Sequence, residues 1–128
     1  MADGKEYISK VSEDGSVNIS EDVISIIALE AMREVEGFGG VANPLSKDLS
    51  ELIGKKSAAR GVSVQPEEDS VCIGVFISVK YGFSVTVVSQ AIQESIRKSV
   101  EDMTGIPVKA VNVHVGGIAF EKSEKNKQ

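Results

Sequence analysis

The sequence contains one cysteine, one histidine and no tryptophan, and each scarcity excludes a class of structure or site. A single cysteine, Cys72, excludes an internal disulfide, and its position in an apolar run is typical of a small buried side chain in a reducing compartment. A single histidine, His114, excludes a metal site built on a histidine pair. It also leaves no second histidine that could act as the base of a serine–histidine catalytic arrangement. Aromatic residues make up 5% of the chain, so the core must be built from Val, Ile, Leu and Ala.

Long apolar runs are also missing. No stretch approaches the roughly 18 apolar residues that a membrane-spanning helix needs. The first ten residues, MADGKEYISK, lack the apolar segment that is typical of signal peptides. We therefore expect a cytoplasmic protein without direct membrane insertion, which reaches a membrane, if at all, through a partner.

Positive charge is the scarcer sign, because 14 basic residues face 19 acidic ones and the formal net charge is −5. This balance disfavours nucleic acid and anionic lipid as partners unless a local basic patch is present. One such patch is the segment KKSAARG at 55–61. Its Lys55, Lys56 and Arg60 are candidates for contacting an acidic partner, whereas a solvated loop is the simpler interpretation.

Two segments have the periodicity of long amphipathic helices. The first follows Ser20, and its apolar residues recur at spacings of three and four until Gly37, which is expected to end the helix. The second follows Ser84 and runs to Gly105, a residue able to adopt the left-handed conformation that closes a helix. The serine before each helix is a good N-cap, because its hydroxyl can accept a hydrogen bond from a first-turn amide.

Segments rich in β-branched residues predict the strands of a small sheet. The segments are residues 16–19, 61–65, 71–80 and 108–115. In the 71–80 segment, alternate positions are all Val or Ile, so this face should lie beneath the helices. The opposite face, which includes Cys72 and Phe76, is mixed and is predicted to be open to water or a partner. Asn112 and His114 likewise lie opposite the valines of the last strand.

The order of these elements predicts a single α/β (α+β) domain over residues 16–120. Its predicted architecture is a two-layer sandwich, in which a mixed sheet of four to five strands is covered on one face by two long helices and one short helix, at 45–53. Residues 1–15 are either flexible or the first strand of a hairpin that turns at 14–15. The charged tail, residues 121–128, is expected to be disordered.

No catalytic, metal-binding or cofactor-binding residues are predicted. The segment GFGG at 37–40 matches the G-x-x-G loop with which KH modules clamp a nucleic-acid backbone, and Phe38 is therefore a candidate partner-binding residue. KH loops normally carry basic residues, so a glycine helix stop with a mobile turn is the simpler interpretation. The acidic segment at 67–69 lacks the spacing of a calcium loop.

Several motifs in a fixed order resemble the alkaline-shock protein family of Gram-positive bacteria. The matching segments are ISEDVISIIALEAMREVEG at 19–37, GVSV at 61–64, VCIGVFISVKYG at 71–82 and VEDMTGIPVKAVNVHVGGI at 100–118. The order YG, helix, MTG and VNVHV is the specific part of this pattern. The resemblance covers about residues 16–120, and the residues between Gly37 and Arg60 fit it less sharply.

The resemblance implies a small cytoplasmic protein of α/β fold, without catalysis, that associates with itself and is linked to cell-envelope stress. Some members are held at the membrane by a small membrane-anchored relative, and others act in the cytoplasm with links to lipid synthesis. We therefore expect a non-enzymatic scaffold or interaction protein that supports cell-envelope homeostasis. Its expected partners are other copies of itself, a membrane-anchored relative or another envelope protein.

Two other function classes remain open at this stage. The first is a KH-like nucleic-acid-binding module that uses the GFGG loop with Lys55, Lys56 and Arg60. The second is an enzyme that uses Asp or Glu side chains near the open sheet face, which would require buried carboxylates in a deep pocket.

Overall fold

The computed structural model describes residues 7–42 and 61–120. The elements in these ranges are β1 (Tyr7–Ser12), β2 (Gly15–Ser20), α1 (Glu21–Arg33), β3 (Phe38–Val41), β4 (Val62–Pro66), β5 (Val71–Lys80), α2 (Val85–Thr104) and β6 (Val108–Ala119). The predicted short helix at 45–53 and the charged tail at 121–128 lie outside the described residues.

Strand β5 is the centre of a four-stranded mixed sheet. Strand β6 runs parallel to it, from Val71 opposite Val108 to Lys80 opposite Ala119. On the other edge, β4 pairs antiparallel with the first half of β5, and β3 pairs antiparallel with its second half. A parallel pair needs a crossover connection, which α2 provides. Helices α1 and α2 cover one face of this sheet, so the predicted α/β two-layer fold is confirmed.

The core lies between this sheet and the two helices. The alternate residues of β5 that were predicted to face the helices are all completely buried. They pack with Ile24, Ala28 and Met32 of α1, and with Ile92, Ile96 and Val100 of α2. The two helices are also joined directly, because the hydroxyl of Ser95 donates a hydrogen bond to the carbonyl of Ala31 at 3.0 Å.

Both predicted serine caps are present. The hydroxyl of Ser20 accepts hydrogen bonds from two first-turn amides of α1, at 3.1 and 3.4 Å, and that of Ser84 accepts one from α2 at 3.2 Å. The predicted end of the first helix was wrong, because α1 stops at Arg33 and has Glu34 as its C-cap. Gly37 instead forms part of the following turn, with φ +93°.

Gly105 closes α2 as predicted. Its φ is +75°, in the left-handed region, and its amide donates to the carbonyl of Glu101 at 2.9 Å. The hydroxyl of Thr104 then accepts a hydrogen bond from the amide of Ile106 at 3.0 Å. Ile106 is buried, so the turn that directs the chain into β6 is anchored in the core.

The hairpin alternative for the N-terminal segment is the one that the structure contains. Strands β1 and β2 pair antiparallel around the turn at 13–14 and form a separate two-stranded sheet. The ammonium of Lys10 donates to the carbonyl of Gly105 at 3.1 Å, which connects this hairpin to the end of α2.

The interpretation of GFGG as a mobile turn was wrong. Phe38–Val41 form strand β3, with Phe38 opposite Val79, and the carbonyl of Gly37 accepts a hydrogen bond from the amide of Lys80 at 2.9 Å. This pairing outweighs the low strand propensity of glycine, because strand formation depends on cross-strand partners more than on intrinsic preference. The KH alternative is not supported, since a KH loop joins two helices and this segment follows α1 as a strand.

Candidate interaction surface

Of the four residues predicted to contact a partner, Phe38 is the one that lies in the described part of the chain. Phe38 lies in β3, is half-buried and packs against the core, so much of its ring is not available to a partner. Lys55, Lys56 and Arg60 lie outside the described residues. The surface that the described residues display is a different one, on the side of the sheet opposite α1 and α2.

In residues 7–42 and 61–120, this side forms a shallow concavity of about 430 Å³, which we call the open face. Its lining comes from β4, β5 and β6 and includes Ser63, Gln65, Cys72, Gly74, Phe76, Asn112 and His114. Alternation along the strands places these side chains opposite the core, as the sequence pattern predicted for Phe76, Asn112 and His114. The strands that build the core therefore also build the surface.

An aromatic pair occupies the middle of the open face. Phe76 and His114 are directly opposite in the β5–β6 register, and their rings stack with centroids 4.6 Å apart and an angle of 17° between the planes. The residue before this pair on the same face of β5 is Gly74, where an added Cβ would approach the hydroxyl of Ser63 to 3.0 Å. Because Gly74 has no side chain, the surface beside the stacked rings is lower than it would be next to another bulky residue.

Polar groups line one end of the open face. The thiol of Cys72 donates to a carboxylate oxygen of Glu67 at 3.7 Å, and the ammonium of Lys109 is 3.7 Å from the other oxygen. Exposed ion pairs of this kind contribute less than about 1 kcal/mol to stability. Their effect is to fix the position of Glu67 at the rim, which gives the open face an apolar centre and a charged margin.

A second exposed feature lies where β5 and β6 end. Tyr81 and Phe120 are 72% and 61% exposed, and their rings stack with centroids 5.3 Å apart. Ile118 is 44% exposed on the same end of β6. We call these three residues the aromatic corner. Clustered exposed apolar side chains of this size are typical of contact surfaces.

Metal-binding clusters and membrane-spanning helices are both missing from the described ranges. Residues 7–42 and 61–120 contain no group of three or more His, Cys, Asp or Glu side chains placed to hold a metal ion. Neither α1 nor α2 combines the length and apolar character that crossing a membrane requires.

Comparison with known proteins agrees with the motif pattern. A model of the alkaline-shock protein 23 family, described as having a cell envelope-related function, matches residues 9–120. Spy1535 of Streptococcus pyogenes is 38% identical over 112 residues, which cover 87% of this chain and 84% of that relative. YqhY of Bacillus subtilis is 32% identical over 114 residues, which cover 89% and 84% of the two chains.

Solved structures add a weaker likeness. A structure titled MamM CTD H264E matches with a TM-score of 0.46 and 13% sequence identity, covering 76% of this chain and 94% of that chain. The family match spans most of the sequence and includes every described element except the first residues of β1. The chain therefore belongs to the alkaline-shock protein 23 family, whose function is related to the cell envelope.

Proposed function

We propose that this protein is a non-enzymatic interaction protein of the cell envelope, which acts by associating with itself and with protein partners. The observation that carries the proposal is the open face, where half-buried Phe76 stacks on exposed His114 on a sheet whose other side is the core. The open face is the surface that we assign to a protein partner.

The composition of the open face supports a protein partner. Protein interfaces typically combine an aromatic centre with a polar rim, and aromatic residues supply much of their binding energy. The open face has this arrangement, with Phe76 and His114 at its centre and Glu67 and Lys109 at one margin. Its breadth across three strands suits a flat protein surface.

The chemistry of the carboxylate nearest this face supports a non-enzymatic role. General acid–base catalysis by a carboxyl group usually depends on burial that shifts its proton affinity. Glu67 borders the open face, but its side chain is 37% exposed and lies beside Lys109. This exposed setting favours a surface carboxylate that contributes to recognition.

The envelope-related function of the family supports a partner at the cell envelope. We propose that the protein resides in the cytoplasm and reaches the inner side of the membrane through a membrane-anchored partner. The open face would then bind that partner, while self-association would gather several copies at one place.

A photo-cross-linking experiment in cells tests this assignment. Benzoylphenylalanine replaces Phe76 in one strain and Ile26 in another, because Ile26 is 46% exposed on α1, away from the open face. We expect cross-links to an envelope protein from position 76 that are absent from position 26. Equal products from both positions, or none from position 76, would contradict the assignment of the open face.

A matched phenotype separates binding from folding. His114→Ala should lower resistance to envelope stress while the cellular amount of the protein stays the same, because His114 is exposed and the core does not depend on it. Ile26→Ala serves as the control and should leave resistance unchanged. Loss of resistance that follows only loss of protein would indicate a stability effect.

A further inference from the structure

The outer edge of β6, the edge that faces away from β5, is covered by side chains of α2 where the strand begins. The carboxylate of Glu101 accepts a hydrogen bond from the amide of Val108 at 2.9 Å. The guanidinium of Arg97 donates to the carbonyl of the same residue at 2.7 Å. The backbone groups of Val108 are therefore satisfied by the helix, in the place where a neighbouring strand would otherwise bind.

The same cover extends to Val111. The side-chain amide of Gln93 donates to its carbonyl at 3.0 Å. Gln93, Arg97 and Glu101 are spaced by four residues, so they form one row along α2 that faces the strand. Edge strands in natural proteins are commonly protected in this way, because unpaired backbone groups invite pairing with another chain.

Among the described residues, the side-chain cover ends beyond Val111, and we call the remainder of β6 the open edge, residues 113–119. Backbone groups of successive strand residues point to opposite sides, so the outward carbonyl of Val111 places those of Val113 and Val115 on the outer edge as well. Within residues 7–42 and 61–120, no strand pairs with this side of β6. Four residues before Gln93, the row on α2 continues with Ser89, whose side chain is far shorter.

The composition of the open edge is unusual for an unprotected strand. Residues 110–120, AVNVHVGGIAF, contain no Asp, Glu, Lys, Arg or Pro, although the whole chain carries a net charge of −5. The segment ends at the aromatic corner, where Ile118 and Phe120 are 44% and 61% exposed. Charged residues and proline are two common devices that prevent edge pairing, and this segment has neither. A third device, a shift in the strand register, occurs in it only after Val115, where Gly117 and not Gly116 lies opposite Ser78.

We infer that the open edge pairs with the open edge of a second copy, antiparallel and about a two-fold axis, to make one continuous sheet. The inference rests on the self-association in the proposed function and names the surface responsible. A two-fold axis places the same segment on both sides of the contact, so the segment must be complementary to a second copy of itself. Because two acidic chains repel each other, the uncharged open edge is the part of this surface best suited to a like chain.

Contacts across such an interface would be of two kinds. Val113 and Val115 would exchange main-chain hydrogen bonds with the partner strand, and cross-strand pairs of β-branched side chains would add packing on the helix side. Phe120 and Ile118 would supply exposed apolar area at the margin. The strand of an unrelated protein would meet the same backbone groups, but the isolated chain would then stay monomeric.

Val115→Pro tests the inference by sedimentation velocity. Its amide points outward, so proline there removes a donor from the open edge while β5 keeps its partners, a position at which edge strands tolerate proline. We expect a dimer for the unmodified chain and a monomer for Val115→Pro, with unchanged circular dichroism. His114→Pro is the orientation control and should unfold the protein, because its amide points toward β5.

A second variant keeps the test independent of proline. Ile118→Lys adds a positive charge to each copy and removes apolar contact, and it should weaken the dimer at least tenfold. Val11→Lys, in the hairpin at a position that is 80% exposed, is the matched control and should leave the dimer unchanged. Equal weakening by both lysine variants would overturn the assignment of the edge.

Two further outcomes would also overturn the inference. One is an unmodified chain that stays monomeric at 100-fold above its cellular concentration. This outcome overturns the inference even if Val115→Pro fails to capture a different protein that the unmodified chain captures in pull-downs, because the open edge would then bind that protein and not a second copy. The other is a folded Val115→Pro that dimerises as tightly as the unmodified chain. Neither outcome alters the cross-links expected at Phe76, so failure of the edge and failure of the open face are distinguishable.

Discussion

Replacing Gly105 by alanine should destabilise the protein through backbone strain. Gly105 has φ +75°, a conformation that an L-residue with a Cβ disfavours by about 1–2 kcal/mol. An added Cβ would lie 3.5 Å from Cε of Lys10, an ordinary contact distance, so no steric overlap is expected. Strain in the turn is therefore the term that the substitution isolates.

The expected magnitude is small but measurable. Alanine also restricts the unfolded chain, which returns about 0.4–1 kcal/mol to the folded state. The net loss in the free energy of unfolding is thus about 1 kcal/mol. For a chain of this length, a change of that size lowers the melting temperature by roughly 4 °C.

The assay is thermal and urea unfolding followed by circular dichroism, with two reference variants. Gly105→Asn should lose less, because asparagine tolerates the left-handed region better than alanine. Gly116→Ala should lose nothing, since Gly116 has no positive φ and an added Cβ there meets no atom within 4 Å. An unchanged melting temperature for Gly105→Ala would refute the strain argument, as would an equal loss for Gly116→Ala.

Two substitutions of buried residues should change the free energy of unfolding in opposite directions. Gly37→Ala should cost more than Gly105→Ala, about 2–4 kcal/mol by urea unfolding, because φ is +93° and the new Cβ would lie 2.6 Å from Cγ2 of Val88 and 2.8 Å from the Phe83 ring; a smaller loss would show that these side chains move aside easily. Ser25→Ala should stabilise the protein by about 1 kcal/mol in the same assay, because the Ser25 hydroxyl is fully buried and has no hydrogen-bond partner among residues 7–42 and 61–120. A lower midpoint would mean that the hydroxyl does have a partner.

The layers of the fold could be predicted from periodicity alone. Alternation in 71–80 separated a core face from an open face, and that division is the one observed. Helix starts were equally clear at Ser20 and Ser84, since capping depends on one side chain and its nearest amides. These features are local, so a single sequence contains enough information to place them.

Features that depend on distant partners could not be predicted in the same way. The glycines of β3 disfavour a strand, and its pairing with β5, Phe38 opposite Val79 and Val41 opposite Ile77, makes one. Likewise Gln93 and Arg97 look like ordinary solvated helix residues, because their contacts with β6 depend on how the helix crosses the sheet. The available sequence signal for these contacts was the four-residue spacing of Gln93 and Arg97, on a helix that a short loop connects to β6.

The candidate site likewise has features that the local sequence predicts and features that depend on distant partners. His114 and Phe76 were placed correctly on the mixed face, but their stacking follows from the parallel β5–β6 register. Tyr81 and Phe120 are far apart in sequence, and their contact depends on where two strands end. The prediction for Lys55, Lys56 and Arg60 stays a prediction, since they lie outside the described residues.

The β1–β2 hairpin has a consequence for how the molecule opens. An isolated two-stranded hairpin is marginally stable in water, and this one contributes only the half-buried Ile8 and Ile19 to the margin of the core. The hairpin should therefore detach and reform without global unfolding. Amides of β1 should exchange with solvent hydrogen far sooner than those of β5. Within residues 7–42 and 61–120, a protease should cut first near Gly15 and leave the central sheet folded.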